Sequence, residues 1–195
     1  MQKNTLLLLA VMAAFVISSC SKTEEAAPVT VVGIWKVGGL GVITDTKTVD
    51  VTTAEIKKID AKAGEGFEAI SYEFKADGTS VSSKRSGTTT VTDAGKYVIS
   101  ADKKLLNITS DKEKDSKGNA SVQTFEVLSL TNSEMKFGIG KLTKKGSDGD
   151  FVVDFFSIDF AVYFYGLYVF TAKGLDGEKE MKAAKTVSAT FNLKK

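Results

Sequence analysis

Few side chains here are equipped for chemistry, and Cys20 comes first. It is the only cysteine, so no intramolecular disulfide forms. Ile17, Ser18 and Ser19 stand directly before it; small residues let a peptidase hold the extended chain beside the cysteine. Histidine is absent, which removes the usual general base at neutral pH and the commonest transition-metal ligand. Ser-His-Asp and Cys-His catalysis, and zinc sites built on His or Cys, are excluded with it. Asp148, Asp150 and Asp154 flank a Gly-rich turn, but their spacing departs from the twelve-residue calcium loop that ends in Glu. They read as a solvated hairpin tip. Asp154 and Asp159 are the carboxylates that glycoside hydrolysis could use; five apart, they point to opposite faces of one regular strand. The run Asp111–Gly118 reads as an exposed loop of mixed sign. No catalytic residue, metal or cofactor is expected, and the chain reads as a binding protein, not an enzyme.

Residues 1–19 have the layout of a targeting segment. Lys3 supplies a positive start and Leu6–Ile17 an apolar run of twelve residues. At about 1.5 Å per residue, that run is too short to cross a hydrocarbon core of about 30 Å as a helix, so it reads as a signal peptide. Ile17-Ser18-Ser19-Cys20 resembles the lipobox of bacterial lipoproteins. The resemblance implies a diacylglyceryl thioether on Cys20, cleavage before it and acylation (a palmitate-type chain) of the new amino group. Two or more acyl chains make a stable anchor where one does not. Residues 20–28 form a polar tether ending at Pro28, the only proline. Ser21 is compatible with sorting to the outer membrane. Glu24-Glu25 resembles the acidic surface-export tags of some lipoproteins, or is a plain spacer, so both the periplasmic side and the cell surface stay open.

The residues after the signal, 29–195, are enough for one domain with a real core. Without Lys3 the acidic and basic side chains nearly balance, and Arg85 is the single arginine. Nucleic-acid recognition favours arginine and a net basic face, so that class is excluded.

From Val29 onward the dominant period is two, the side-chain period of a strand. Val29, Val31, Gly33, Trp35 and Val37 share one face; Ile70, Tyr72 and Phe74 share another, before the hairpin signal Ala76-Asp77-Gly78-Thr79. Thr79–Lys84 is the return strand. Lys96–Ile99 and Leu105–Thr109 flank a polar loop. In Ser121–Leu130, Phe125 and Val127 oppose Val122 and Leu128. Thr131–Glu134 turns into Met135–Leu142, Phe151–Ile158 and Phe160–Ala172 follow as strands, and Val187, Ala189, Phe191 and Leu193 mark the last one. Thr52–Glu55 fits a capping box, with Ile56, Ile59 and Ala63 on one helical face. Asp176 caps a short helix through Ala184. The fold class is all-β: an antiparallel barrel or sandwich of about eight to ten strands with one or two short helices.

Gly33-Ile34-Trp35 on the first strand favours the barrel. It resembles the lipocalin and wider calycin signature, in which the indole plugs one end of the barrel. The order that follows, Tyr72–Thr79, Gly95–Ile99, Leu105–Thr109 and Val127–Met135, is similar to the lipocalin-like domains of bacterial lipoproteins. Classical lipocalins stack an arginine from a late strand on this tryptophan; here only Lys194 or Lys195 stands in a comparable place. The resemblance implies a membrane-anchored barrel that holds a small hydrophobic ligand.

Nine aromatic residues crowd Phe151–Phe170. On a strand, Phe160, Val162, Phe164, Gly166, Tyr168 and Phe170 face one way, with Gly166 marking a bulge. The run reads either as a central strand buried on both sides or as an aromatic lining. The expected ligand-binding residues are Trp35, Tyr72, Phe74, Phe155, Phe164, Tyr168 and Phe170. The alternative is a cell-surface module with a filled core that recognises glycan or protein.

Overall fold

In the computed structural model, residues 29–86, 88–114, 117–144, 151, 153 and 158–195 are described. Alternation becomes strand almost wherever it was read. In chain order the elements are β1 (Gly33–Thr44), β2 (Thr48–Thr52), α1 (Thr53–Ile59), α2 (Ala61–Glu68), β3 (Ser71–Phe74), β4 (Thr79–Ser86) and β5 (Thr89–Ile99). Then come β6 (Leu105–Lys114), β7 (Ala120–Leu130), β8 (Glu134–Thr143), α3 (Ile158–Ala172), α4 (Gly177–Ala183) and β9 (Thr186–Lys194). All neighbours pair antiparallel.

Eight strands close into a barrel in the order β1-β3-β4-β5-β6-β7-β8-β9, because β1 also pairs with β9 from Lys36↔Lys194 to Thr44↔Val187. β3 holds only the first third of β1, Gly33 to Lys36, and β2 takes over the same edge from Gly39 to Ile43. The register shifts between Val37 and Gly39, so the buried face passes from Trp35 and Val37 to Leu40 and Val42. Such an extra residue re-aims a strand without breaking its pairing.

The inner wall follows the alternation. Val187, Ala189, Phe191 and Leu193 of β9 are buried, as are Phe125 and Val127 of β7, while Val122 and Leu128 point outward. Fully burying one such side chain contributes about 1.5–3 kcal/mol. The Ala76–Thr79 hairpin forms, with Gly78 at φ +83° and Asp77 Oδ1 accepting from Thr79 N at 2.9 Å.

Antiparallel order gives the barrel two distinct ends. The β3–β4, β5–β6 and β7–β8 turns share one end with the start of β1. The β1–β2, β4–β5 and β6–β7 connections share the other. We refer to these as the base and the mouth.

Several expectations are corrected. Phe160–Ala172 is not a strand but most of α3. The segment is apolar on every side, so it carries no periodic contrast to betray a helix. As a helix it buries Val162, Gly166, Val169 and Phe170, the i, i+4, i+7, i+8 set that one helical face presents. Phe151 and Val153 belong to no strand, Ile158 opens α3, and Phe155 with Asp148, Asp150 and Asp154 lies outside the described residues. Four helices are present among the described residues where one or two were expected. The Thr52 capping box forms, with Glu55 Oε2 accepting from Thr52 N at 2.8 Å and Thr52 Oγ1 accepting from Glu55 N at 3.2 Å. The helix it starts then breaks at Asp60, which caps α2 through Ala63 N at 3.0 Å. Ile59 is thereby left 46% exposed, off the expected face. Asp111–Lys114 continues β6 as strand. The strand β2 went unread: its only apolar residues are Val49 and Val51, with no aromatic to mark a buried face.

Candidate functional site

At the base, Trp35 is fully buried and its Nε1 donates to Val31 O at 2.6 Å. Lys195 Nζ sits 4.7 Å from the ring centroid, within the range of a cation–π contact. The chain thus closes the base with a lysine from the end of β9 where arginine was absent. Lys103 Nζ donates to Val29 O at 2.7 Å and pins the entry of the domain beside the β5–β6 turn.

Above the plug, aromatic rings meet one another inside the barrel. Phe137 lies 5.7 Å from Tyr72, 4.7 Å from Phe125 and 5.8 Å from Phe191, and Phe74 lies 4.9 Å from Tyr97. These offset and edge-to-face arrangements are the favoured geometries of ring pairs. The lower half of the barrel is therefore filled by side chains.

α3 crosses one side of the mouth. Gly140 of β8 makes room for it: a Cβ there would stand 3.0 Å from Val162 Cγ2. Tyr165 reaches both Phe191 (6.1 Å) and Phe67 of α2 (5.6 Å). Gly166, expected to mark a bulge, instead lets α4 approach, since a Cβ there would be 2.7 Å from Met181 Sδ.

On the opposite side of the mouth an open cup of about 170 Å³ remains. Tyr72 and Phe191 form its apolar wall with Ile70 and Val91. Ser82, Asp93 and Gln123 supply polar groups, and Lys84 stands at the rim. Register explains why these residues converge: Tyr72 pairs with Ser82 and Ser82 with Asp93 across three strands. Asp93 Oδ1 is buried with no hydrogen-bond partner. Burial pushes the Tyr72 phenol up to about 12, and burial raises that of Tyr165 as well.

Of the expected binding residues that are described, only Tyr72 lies on this cup; Phe155 lies outside the described residues. Trp35 is the base plug, and Phe74 packs deeper, stacked against Tyr72 at 6.2 Å. Phe164 is 41% exposed on the outer side of α3. Tyr168 Oη donates to Asp60 Oδ2 at 2.8 Å, tying α3 to α2, and Phe170 is buried beneath Lys47. The helix therefore disperses residues that a strand would have aligned. Ser82, Val91, Asp93, Gln123 and Phe191 were missed as site residues. The available signal was the Ile70–Tyr72–Phe74 face, whose partners across the hairpin are the small and polar residues of β4 and β5.

A second recess of about 390 Å³ lies on the outer wall. Gly38 and Gly39 line it with two ion pairs, Lys136–Asp50 and Lys173–Glu55, each at 2.7 Å. The bond from Lys173, followed by that from Thr52 N, lowers Glu55 to about 2. Its charges are matched internally. Asn192 Oδ1, on the same wall, has no hydrogen-bond partner, nor does the buried Thr190 Oγ1 beside it. Among the described residues no cluster of three or more His, Cys, Asp or Glu is placed to hold a metal. No described helix is long and apolar enough to cross a membrane.

Residues 31–137 match the family model of the lipocalin-like domain. No curated protein and no solved structure matches the chain. The matched stretch runs from just before β1 to the middle of β8, so β9, which closes the barrel, α3, which crosses one side of its mouth, and α4, which packs on α3, lie beyond it.

Proposed function

Because the chain belongs to the lipocalin-like domain family, we propose that it is a membrane-anchored lipoprotein whose cup receives one end of a small, mostly apolar molecule. The carrying observation is Asp93. A buried carboxylate oxygen without a partner is costly, and here it stands over the apolar wall of Tyr72 and Phe191. A ligand with an apolar body and one hydrogen-bond donor satisfies both. The cup is below the roughly 300–1,000 Å³ of pockets that engulf a whole ligand, so the molecule inserts by an end and leaves the rest outside. Nothing in this role calls for a catalytic group, and the protein acts by binding. Its anchor is the acylated Cys20, which attaches it to the outer membrane on its periplasmic or outer side.

The test is mass spectrometry of organic extracts from the natively purified protein, beside a Ser82→Trp variant whose indole fills the cup. A small amphiphile present in the unaltered protein and lost from the variant is expected. No co-purifying molecule, together with no displacement of a fluorescent fatty-acid probe, would remove the cup from consideration. For the anchor, Cys20→Ala is expected in the soluble fraction; retention in membranes would refute lipidation as its cause.

One observation favours a second reading, recognition of a polar partner such as a glycan or protein by the outer wall. The recess there is larger than the cup and carries the unpartnered Asn192 Oδ1. Full protection of the domain from protease on intact cells would remove the cell-surface form of this reading.

A further inference from the structure

We infer that the base of the barrel faces the membrane and that the cup opens to water, so that its ligand is taken from the aqueous side and not drawn out of the bilayer. This rests on the acylated Cys20 proposed above. The argument starts where the described chain begins. Val29 O is held by Lys103 Nζ at 2.7 Å, and Val31 is buried with its carbonyl on Trp35 Nε1. The point of entry is thus fixed at the base, against the β5–β6 turn.

Cys20 and Val29 are nine residues apart. Whatever its conformation, that stretch spans at most roughly 30 Å. The cup opens toward the far end, while its inner wall reaches down to Tyr72, the register partner of Trp35. Along β5 its rim lies eight residues from the base, at Val91 and not at Ile99, which is about 27 Å of strand and about 20 Å of height at the usual barrel tilt. α2 and α3 stand at the same end. To lay the mouth on the bilayer, the tether would have to climb the whole outer wall at close to full extension. With the base on the bilayer no such extension is required of it. Chain entropy therefore selects the second arrangement.

The cup's chemistry agrees with that direction. Its rim carries the exposed Lys84 and Gln123, polar groups that face water at no cost but would be desolvated against lipid.

The test uses the acylated full-length protein in phosphatidylethanolamine–phosphatidylglycerol vesicles doped with a rhodamine-labelled lipid. With Cys20 locked as a thioether, a new cysteine is the only free thiol. Asn132→Cys labels the exposed β7–β8 turn at the base, and Thr90→Cys labels an exposed position beside the mouth. Energy transfer from a nitrobenzoxadiazole label to the lipid acceptor is expected to be several-fold stronger from position 132 than from position 90. Equal transfer, or stronger transfer from position 90, overturns the orientation while leaving the anchor intact. A full-length protein that lacks acyl mass on Cys20 and does not float with vesicles overturns the anchor reading, and the orientation with it.

Discussion

Lys195 Nζ lies 4.7 Å above the ring of Trp35, which joins the end of β9 to the start of β1 at the point where the barrel closes. Ladder pairing alone would bring these strands together. The cation over the indole adds a contact that fixes which residues meet at the base.

Lys195 is exposed, and a cation–π contact in that setting is worth about 0.5–1 kcal/mol. Lys195→Ala is expected to lower the urea unfolding free energy by that amount, and Lys195→Arg to restore it. Trp35→Ala, which empties the base, should cost about 3–5 kcal/mol. An alanine at 195 with no measurable effect would reduce the contact to coincidence.

The Lys173–Glu55 pair predicts behaviour in acid. Glu55 falls from the ordinary 4.5 to about 2, so the folded state holds its proton less tightly than the unfolded state. The stabilisation is full above pH 4.5 and is lost as pH falls through 2. The pair is about a third exposed, and solvent screening keeps its worth to about 1 kcal/mol or less. Glu55→Gln should be less stable than the unaltered protein at pH 6, and the two should converge as pH falls below 2 in denaturant titrations. A gap that stays constant with pH would assign the loss to the helix cap alone.

How far the sequence could be read is itself a matter of physics. β7 and β9 were legible because one face is wet and one dry, and the contrast at period two survives in the residue types. α3 was not, because its neighbours surround it: Val162 on Gly140, Tyr165 between Phe67 and Phe191, and Tyr163 on Phe151 at 6.5 Å. A helix covered on most sides needs no polar stripe, and without one the aromatic and β-branched composition reads as strand. The cup was hidden for the opposite reason. Ser82, Asp93 and Gln123 point inward near the mouth, where alternation assigns polar residues to the outside. Tyr72 was found because an aromatic inside a barrel obeys the simple rule.

Tyr72 predicts behaviour in alkali. Burial raises its phenol from 10 to about 12, so the stability tied to this group is full below pH 10 and is lost as pH rises through 12. The full loss is on the order of 3 kcal/mol. Tyr72→Phe should flatten the fall in stability between pH 10 and 12 in denaturant titrations. An unchanged alkaline limb would place the loss elsewhere, for example at Tyr165.

Two glycines separate space from backbone freedom. A Cβ at Gly39 would lie 2.1 Å from Val51 O, a backbone atom on the strand that pairs with it, so neither side can yield cheaply. Gly39→Ala should force β2 away from β1 and cost about 1–3 kcal/mol, as overpacking does. Because β2 leads directly into α1, the same change should loosen the helical side of the mouth, visible as faster hydrogen exchange in Val51–Ile56. Gly66, inside α2, has nothing within 4 Å of its Cβ position. There alanine only reduces the freedom of the unfolded chain, and Gly66→Ala should raise stability by about 0.4–1 kcal/mol. If both substitutions were neutral, the close seam between β1 and β2 would not be the feature that holds the helices over the barrel.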